Sequence, residues 1–220
     1  KKETTEPEAV SQSTAMQERM ESVSRKILIT ARNELYMKMR FLDVALSCMP
    51  FIPDTGADGM GTDGLYLYYD PQYLRGLFRE DRIMVNRIYL HLVLHGIFRH
   101  MLRRKGREER IYHLACDIVA ESIIDGLQYR CVMKARSLPR REMYRMLKKK
   151  MKTLTAERVY EVLKKEEFPE TKLGQLESDF RVDDHSYWPK DEDKKKQSQI
   201  ENQWQDISER METEMETFSK

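Results

Sequence analysis

The chain has 220 residues, of which 40% are hydrophobic and 35% charged, as is typical of a soluble protein that can bury a substantial core. Lys and Arg number 39 against 37 Asp and Glu, so no overall charge excess points to nucleic acid. The three cysteines argue against a disulfide framework and no apolar run reaches the roughly 18 residues of a membrane span, so we expect a cytoplasmic protein without membrane contact.

The first quarter of the chain predicts a lead-in and one long helix. Residues 1–14 are polar and aperiodic, which predicts a disordered lead-in. From residue 15 to residue 49, apolar side chains recur at three- and four-residue steps, the pattern of an amphipathic helix. The methionines in this helix are explained by core packing without any cofactor.

A glycine-rich loop and a short strand come next. Residues 53–64 hold four glycines and three aspartates, residue types that tolerate turn conformations. The aromatic run LYLYY, residues 65–69, predicts a single β-strand, and the segment around Phe51 and Ile52 is its expected partner. Pro71 suits the first turn of a short helix.

The middle of the chain predicts two neighbouring helices. Residues 81–106 offer Asp81 as an N-cap, a dense apolar centre and a closing glycine, so we predict one buried helix. Residues 108–126 predict a second helix packed antiparallel to it. Shorter helices are predicted over about 140–151 and 156–165, and residues 166–193 are predicted to be irregular.

The last segment predicts a terminal amphipathic helix. One apolar stripe at three- and four-residue steps consists of Ile200, Trp204, Ile207, Met211, Met215 and Phe218. Its partner surface stays open between the domain's own core, a second copy and a further domain. We therefore divide the chain into a lead-in (1–14), a main domain (15–188) and a terminal helix (189–220).

Two histidines on the predicted buried helix are the first candidates for chemistry. His91 and His95 stand four residues apart, so both rings project from one helix face within reach of a single ion. Core histidines bonded to backbone carbonyls are the alternative. His100 is about 140° further round a continuous helix and is left out, and His113 and His185 have no comparable context.

The second helix of the pair offers carboxylates at four-residue steps. Asp117, Glu121 and Asp125 share one face, and carboxylates on a largely apolar helix are costly unless they are paired or bound to metal. Asp117 lies within the apolar stretch of this helix and is the strongest candidate for a third ligand. Arg99 shares the face of His95 and is a candidate for holding a substrate backbone or carboxylate, although arginines are also common near helix ends.

Several sequence stretches together resemble one known family. HLVLHGIFRHMLRR followed by LACDIVAESIIDG is similar to the metallopeptidase domain of bacterial proteins that also carry a von Willebrand factor A-like domain. In that family an HExxH helix precedes an A-C-D segment whose aspartate completes the metal site. TDGLYLYYDP resembles the strand and turn before the motif helix, and DDHSYW resembles a short element after the helical region. The resemblance covers roughly Ile27 to Trp188.

The resemblance implies a fold, ligands and partners. The fold would be α+β and predominantly helical, with a zincin-like core, a small β-sheet packed on the motif helix and long terminal helices. His91, His95 and Asp117 would bind zinc, although such donors also suit other divalent transition metals. A von Willebrand factor A-like domain and a MoxR-type AAA ATPase would be partners. A peptide added to the sheet would contact the strand residues Leu65, Tyr66, Leu67, Tyr68 and Tyr69.

The sequence departs from the HExxH motif at one position. The glutamate that accepts a proton from the metal-bound water is replaced by Leu92. Glu121, one turn beyond Asp117, is a candidate either for a fourth ligand or for a replacement base. The leading hypothesis is therefore a metal-binding pseudopeptidase that recognises a polypeptide, and the alternative is an active peptidase that uses Glu121 or another group.

The basic runs near residues 99–110 and 134–152 lack interleaved aromatics, so they are better explained as charged helix ends than as a nucleic-acid site.

Overall fold

The structure, a computed structural model, describes residues 6–218, with side chains from residue 15 to residue 216. The helices are α1 (Glu6–Tyr36), α2 (Asp43–Ser47), α3 (Pro71–Glu80), α4 (Arg82–Ile97), α5 (Glu109–Gly126), α6 (Leu138–Lys150), α7 (Ala156–Glu166), α8 (Glu170–Phe180) and α9 (Lys194–Phe218). The strands are β1 (Phe51–Pro53), β2 (Met60–Thr62) and β3 (Leu67–Tyr69). This confirms a predominantly helical α+β fold with a small sheet.

The predicted long N-terminal helix is interrupted. α1 ends at Tyr36, Met39 leaves helical geometry with φ −135° and ψ 63°, and a short 3-10 turn leads into α2. Leu42 and Leu46 remain buried, because the apolar spacing continues through the break. Of the predicted lead-in over residues 1–14, residues 1–5 lie outside the described residues, and residues 6–14 belong to α1.

The sheet has the strand order β1-β3-β2. β1 pairs in parallel with β3, with Phe51 opposite Leu67, so the expected partner segment is confirmed. β2 pairs antiparallel with β3 and lies inside the predicted glycine-rich loop, which is therefore not all loop. β2 escaped detection because a three-residue strand containing Gly61 carries almost no periodic signal.

The buried helix α4 is shorter than predicted. Asp81 caps it by accepting from the backbone N–H of Met84 at 3.0 Å, as expected, but the helix ends at Ile97. Arg99 adopts a left-handed conformation with φ 54° and redirects the chain into the 3-10 turn His100–Leu102. The predicted continuous helix to residue 106 is wrong at this end.

Residues 166–193 are not wholly irregular. α8 occupies Glu170–Phe180 and buries Leu176 and Phe180 completely. These two side chains stand four residues apart on one helix face, a spacing that the charged composition of the segment conceals. α7 begins as predicted, with the Thr155 side chain accepting from the backbone N–H of Arg158.

The terminal helix α9 packs on the domain's own core. Ile200, Trp204 and Ile207 are buried, and the Trp204 indole lies directly on Gly96 of α4. The indole N–H donates to the Gly64 carbonyl at 2.8 Å. The partner surface left open by the sequence is therefore the domain's own core: α4, α2 with the 3-10 turn before it, and the loop before β3. None of the helices between residues 6 and 218 combines the length and the apolar character needed to cross a membrane.

Candidate metal centre

Helix α4 brings its two histidines together as the four-residue spacing predicts. The Nε2 atoms of His91 and His95 lie 2.8 Å apart, and both side chains are fully buried. Their rings are nearly perpendicular, at 81°. Both Nε2 atoms therefore point at the same small volume.

Helix α5 supplies the predicted carboxylate. Asp117 Oδ1 lies 3.4 Å from Nε2 of His91 and 3.4 Å from Nε2 of His95. α5 packs against α4, and Asp117 is 3% exposed. The structure thus places the three predicted ligands around one point.

Two further side chains, which the sequence did not single out, complete the group. They come from residues 181–188, between α8 and α9, which we call the strap. Asp183 Oδ1 and Asp117 Oδ1 lie 3.0 Å and 3.1 Å from His185 Nε2. Asp183 Oδ1 also lies 3.4 Å from His91 Nε2. We call the five side chains the donor cluster: His91, His95, Asp117, Asp183 and His185.

The signal for the two missed residues is the pattern Asp-x-His in DDHSYW. Asp184, between them, has extended backbone angles (φ −102°, ψ 106°), and side chains two apart in extended chain share a face. Asp183 and His185 therefore face the cluster together while Asp184 points the other way. The prediction that His185 has no relevant context is wrong for this reason.

The strap is fixed against the sheet. The backbone N–H of Asp184 donates to the Met60 carbonyl at 2.8 Å, forming a bridge beside Gly61, where a Cβ would overlap the Asp184 carbonyl. The Tyr187 ring stacks on Tyr68 with centroids 4.2 Å apart. These contacts hold the strap at the outer edge of β2.

The donor cluster has the properties of a cation site. Its ligand atoms all lie within 4.8 Å of one another. Bonds of about 2.0–2.1 Å to a tetrahedral ion place neighbouring donors about 3.3 Å apart, close to most separations in the cluster. Asp117 Oδ1 and both Asp183 carboxylate oxygens are buried without a conventional hydrogen-bond partner, and such orphaned oxygens are costly unless a cation meets them. These residues fit a divalent metal ion.

The pKa shifts within the donor cluster also favour positive charge there. Burial opposes charge on His185, but Asp183 and Asp117 raise its pKa to about 10. Burial likewise opposes charge on His91, yet Asp183 and Asp117 raise its pKa well above the ordinary value. Burial would raise the pKa of the Asp117 and Asp183 carboxyl groups. The histidines, above all His185, instead hold both pKa values well below the usual range. The two carboxylates thus favour positive charge at this point, as they would favour a bound cation.

The other ring nitrogens of the α4 histidines face away from the cluster. His95 Nδ1 lies 2.8 Å from His100 Nδ1. The expectation that His100 faces away is wrong, because it assumed a continuous helix, whereas the turn at Arg99 brings His100 back to His95. Burial, followed by the charge of His91, lowers the pKa of His95 to about 4.

Glu121 lies behind His91 and outside the donor cluster. Its Oε1 is 3.0 Å from His91 Nδ1, and its Oε2 accepts from Arg87 at 2.6 Å and from Arg140. Both oxygens are therefore engaged away from the point where the Nε2 atoms converge. Leu92, at the position of the peptidase glutamate, is completely buried in the apolar core.

The residues expected to hold a substrate lie elsewhere. Leu67–Tyr69 form the central strand, with partners on both sides, so no peptide can add to that strand. Leu65 and Tyr66 precede the strand. Arg99 pairs with Glu201 at 3.0 Å and donates to Gln205, so it is engaged with α9.

A cleft of about 620 Å³ opens beside the donor cluster. Asp117 and His185 form part of its wall, and charged side chains of both signs, including Arg110, Arg181 and Glu177, line the rest. Asp117 and His185 have side-chain exposures of only 4% and 8%, whereas the His91, His95 and Asp183 side chains have none. The cluster is therefore nearly closed, and its exposed fraction lies on the cleft side.

The fold and the site define a predominantly helical domain with a candidate metal centre. A protein family described as "Putative metallopeptidase domain" matches residues 24–217, nearly the whole chain, and the chain belongs to that family. The match extends through α9 as well as the donor cluster. No curated protein and no solved structure matches the chain.

Proposed function

We propose that this chain is a metal-binding pseudopeptidase, in which a divalent ion held by the donor cluster stabilises the fold and hydrolysis has been lost. The observation that carries the proposal is the convergence of five donor atoms on one point, with orphaned carboxylate oxygens among them. Catalytic zinc sites use three protein ligands and keep a position for water, whereas structural sites are closed by protein ligands. Five donors favour the closed kind.

The surroundings of the cluster also lack the expected base. When bound, a zinc ion would supply Lewis acidity and lower the pKa of any water it holds. Leu92 cannot accept a proton, and the oxygens of Glu121 are held by His91, Arg87 and Arg140. Loss of a general base costs about 10² to 10⁴ in rate. The alternative, an active peptidase, requires Glu121 to leave these partners.

We propose zinc as the ion and a zincin-like arrangement for the core. Imidazole and carboxylate donors suit Zn²⁺, and three histidines with two aspartates also accommodate Mn²⁺ or Fe²⁺. The small sheet and the motif helix α4 support the zincin-like assignment, with the strap on the sheet edge beside the cluster.

The cleft beside the cluster is the proposed surface for a polypeptide partner. Its size and its mixture of basic, acidic and apolar side chains suit a segment of polypeptide. By family resemblance, a von Willebrand factor A-like domain and a MoxR-type AAA ATPase are the proposed wider partners.

A hydrolysis assay tests the loss of activity. Zinc-loaded wild-type protein and the variant His91→Ala, which lacks a ligand for the ion, are incubated with an unfolded protein substrate, next to a known zinc peptidase as positive control. We expect the two to cleave equally slowly, because the wild type has no base beside its ion and the variant does not hold the ion. Cleavage by the wild type more than tenfold faster than by His91→Ala, and abolished by a chelator, would show that the active alternative is correct.

A further inference from the structure

A buried network of charged side chains lies on the far side of His91 from the donor cluster. Arg87 of α4 donates to Glu121 and to Asp125, both of α5, at 2.6 Å each. Arg140 of α6 donates to the same two carboxylates. Tyr144 completes the group by donating to Asp125 at 2.9 Å. Arg87, Glu121 and Asp125 are each less than a tenth exposed.

Within this network, Glu121 alone reaches the donor cluster. Its Oε1 accepts the Nδ1–H of His91 at 3.0 Å, so Nε2 is the His91 nitrogen that is left to bind an ion. Glu121 therefore fixes both the ring orientation and the tautomer of His91 when the ion is bound.

The arginines fix Glu121 in turn. Taking three or four charges out of water is costly, and apolar residues of equal volume would often be as stable. A network that served stability alone would not need the hydrogen bond between Glu121 Oε1 and His91 Nδ1. Arg140 also donates through Nε and Nη2 to the carbonyl of Asp179, near the end of α8. The strap begins shortly after that carbonyl, so one guanidinium contacts both the support of His91 and the end of the helix that leads into the strap.

We infer that Glu121, held by Arg87 and Arg140, is a positioning residue of the metal centre, and that Arg140 couples its two halves, the helix ligands and the strap ligands. This inference rests on the proposed metal binding. Its role is distinct from the ligand or base role that the sequence suggested for Glu121. Outer carboxylates on metal-binding histidines typically change metal affinity by about 10- to 100-fold.

The affinity of Glu121→Gln for Zn²⁺ and Co²⁺, measured by competition with a coloured chelator, tests the inference. Gln keeps the shape and an acceptor but removes the charge, so we expect about 10- to 100-fold weaker binding and an altered Co²⁺ absorption spectrum. The matched control is Glu108→Gln, which neutralises an exposed glutamate paired with Lys164 and should bind as the wild type does. Binding and a spectrum equal to wild type in Glu121→Gln would overturn the inference.

Two further measurements keep the test decisive if Glu121→Gln fails to fold. Arg140→Met removes a partly accessible member of the network and should alter the Co²⁺ spectrum, whereas Arg103→Met, at a surface arginine paired with Glu157, should not. Nitrogen NMR of zinc-loaded wild type should show the proton of His91 on Nδ1. A proton on Nε2 would contradict the inference for the wild type itself.

The failure of this inference is separable from failure of the proposed function. If wild-type protein takes up no metal, the proposed function fails and the inference with it. If the wild type binds one ion that His91→Ala abolishes, and Glu121→Gln binds it equally well, only the positioning role fails.

Discussion

Asp183 and Asp184 are adjacent in sequence and have opposite surroundings. Both oxygens of Asp183 are buried without a conventional hydrogen-bond partner and face the donor cluster. The Asp184 carboxylate accepts from the backbone N–H groups of Asp58 and Ser186, at 3.0 Å and 2.9 Å. One carboxylate is thus available for a cation, and its neighbour fastens the strap.

This difference predicts opposite results for two isosteric substitutions. Asp183→Asn removes an anionic donor and should weaken Zn²⁺ binding by at least about 10-fold, measured by chelator competition. Asp184→Asn keeps an acceptor oxygen for one of the two backbone N–H groups and removes no donor atom from the cluster, so it should bind Zn²⁺ nearly as tightly as wild type. Equal weakening by the two substitutions would mean that strap stability, rather than ligation, controls the affinity.

The candidate site was predicted from sequence as far as helical periodicity reaches. His91, His95 and Asp117 lie together because their positions on two adjacent helices direct their side chains to the same place. His185 and His100 were missed because helical periodicity determines neither position. His185 reaches the cluster through the pairing of the strap with β2, and His100 through the left-handed turn at Arg99.

At the scale of elements, α4 and α9 approach each other very closely at Gly96. Trp204 lies against Gly96, and a Cβ built on that glycine would overlap the indole ring. Gly96 also immediately follows His95. The absence of a side chain there lets α9 cover α4 next to the donor cluster.

Gly96→Ala should therefore destabilise the fold. Overpacking a filled core costs about 1–3 kcal/mol, which chemical denaturation of the full chain would measure. The matched control is Gly76→Ala in α3, where a Cβ meets nothing within 4 Å and alanine should be neutral or stabilising by about 0.5–1 kcal/mol. If Gly96→Ala were as stable as the control, α9 would not be closely packed on α4.

The elements themselves were predictable to different degrees. α5, α7 and α9 carry clear periodicity and caps, and their sequence boundaries agree with the structure within a few residues. The breaks at Met39 and Arg99 were not predictable, because no proline or glycine marks them. Strand β2 and helix α8 were hidden by short length and by a charged composition.

Across the whole molecule, the donor cluster joins three segments that are distant in sequence. Its ligands come from α4, from α5 and from the strap, spanning His91 to His185. Ion binding there would cross-link most of the domain, including the strap on the β2 edge. Because unfolded chains seldom hold a preformed site, the free energy of binding contributes to folding stability.

Ion binding is also linked to protons through the raised pKa values in the cluster. The neighbouring Asp183 and Asp117 raise the pKa of His185 to about 10 and raise that of His91 above its ordinary value. Any proton on Nε2 must leave when that atom binds a metal. Affinity should therefore rise with pH from neutrality towards about 10, and fall as the solution is acidified.

The most direct test is a calorimetric titration of chelator-treated full-length chain with Zn²⁺ at pH 7, in two buffers of different ionisation enthalpy. We predict one ion per chain, proton release seen as a difference in heat between the two buffers, and loss of the binding heat in His185→Ala. Absence of binding, or equal binding by wild type and His185→Ala, would contradict the assignment of the donor cluster as a metal centre.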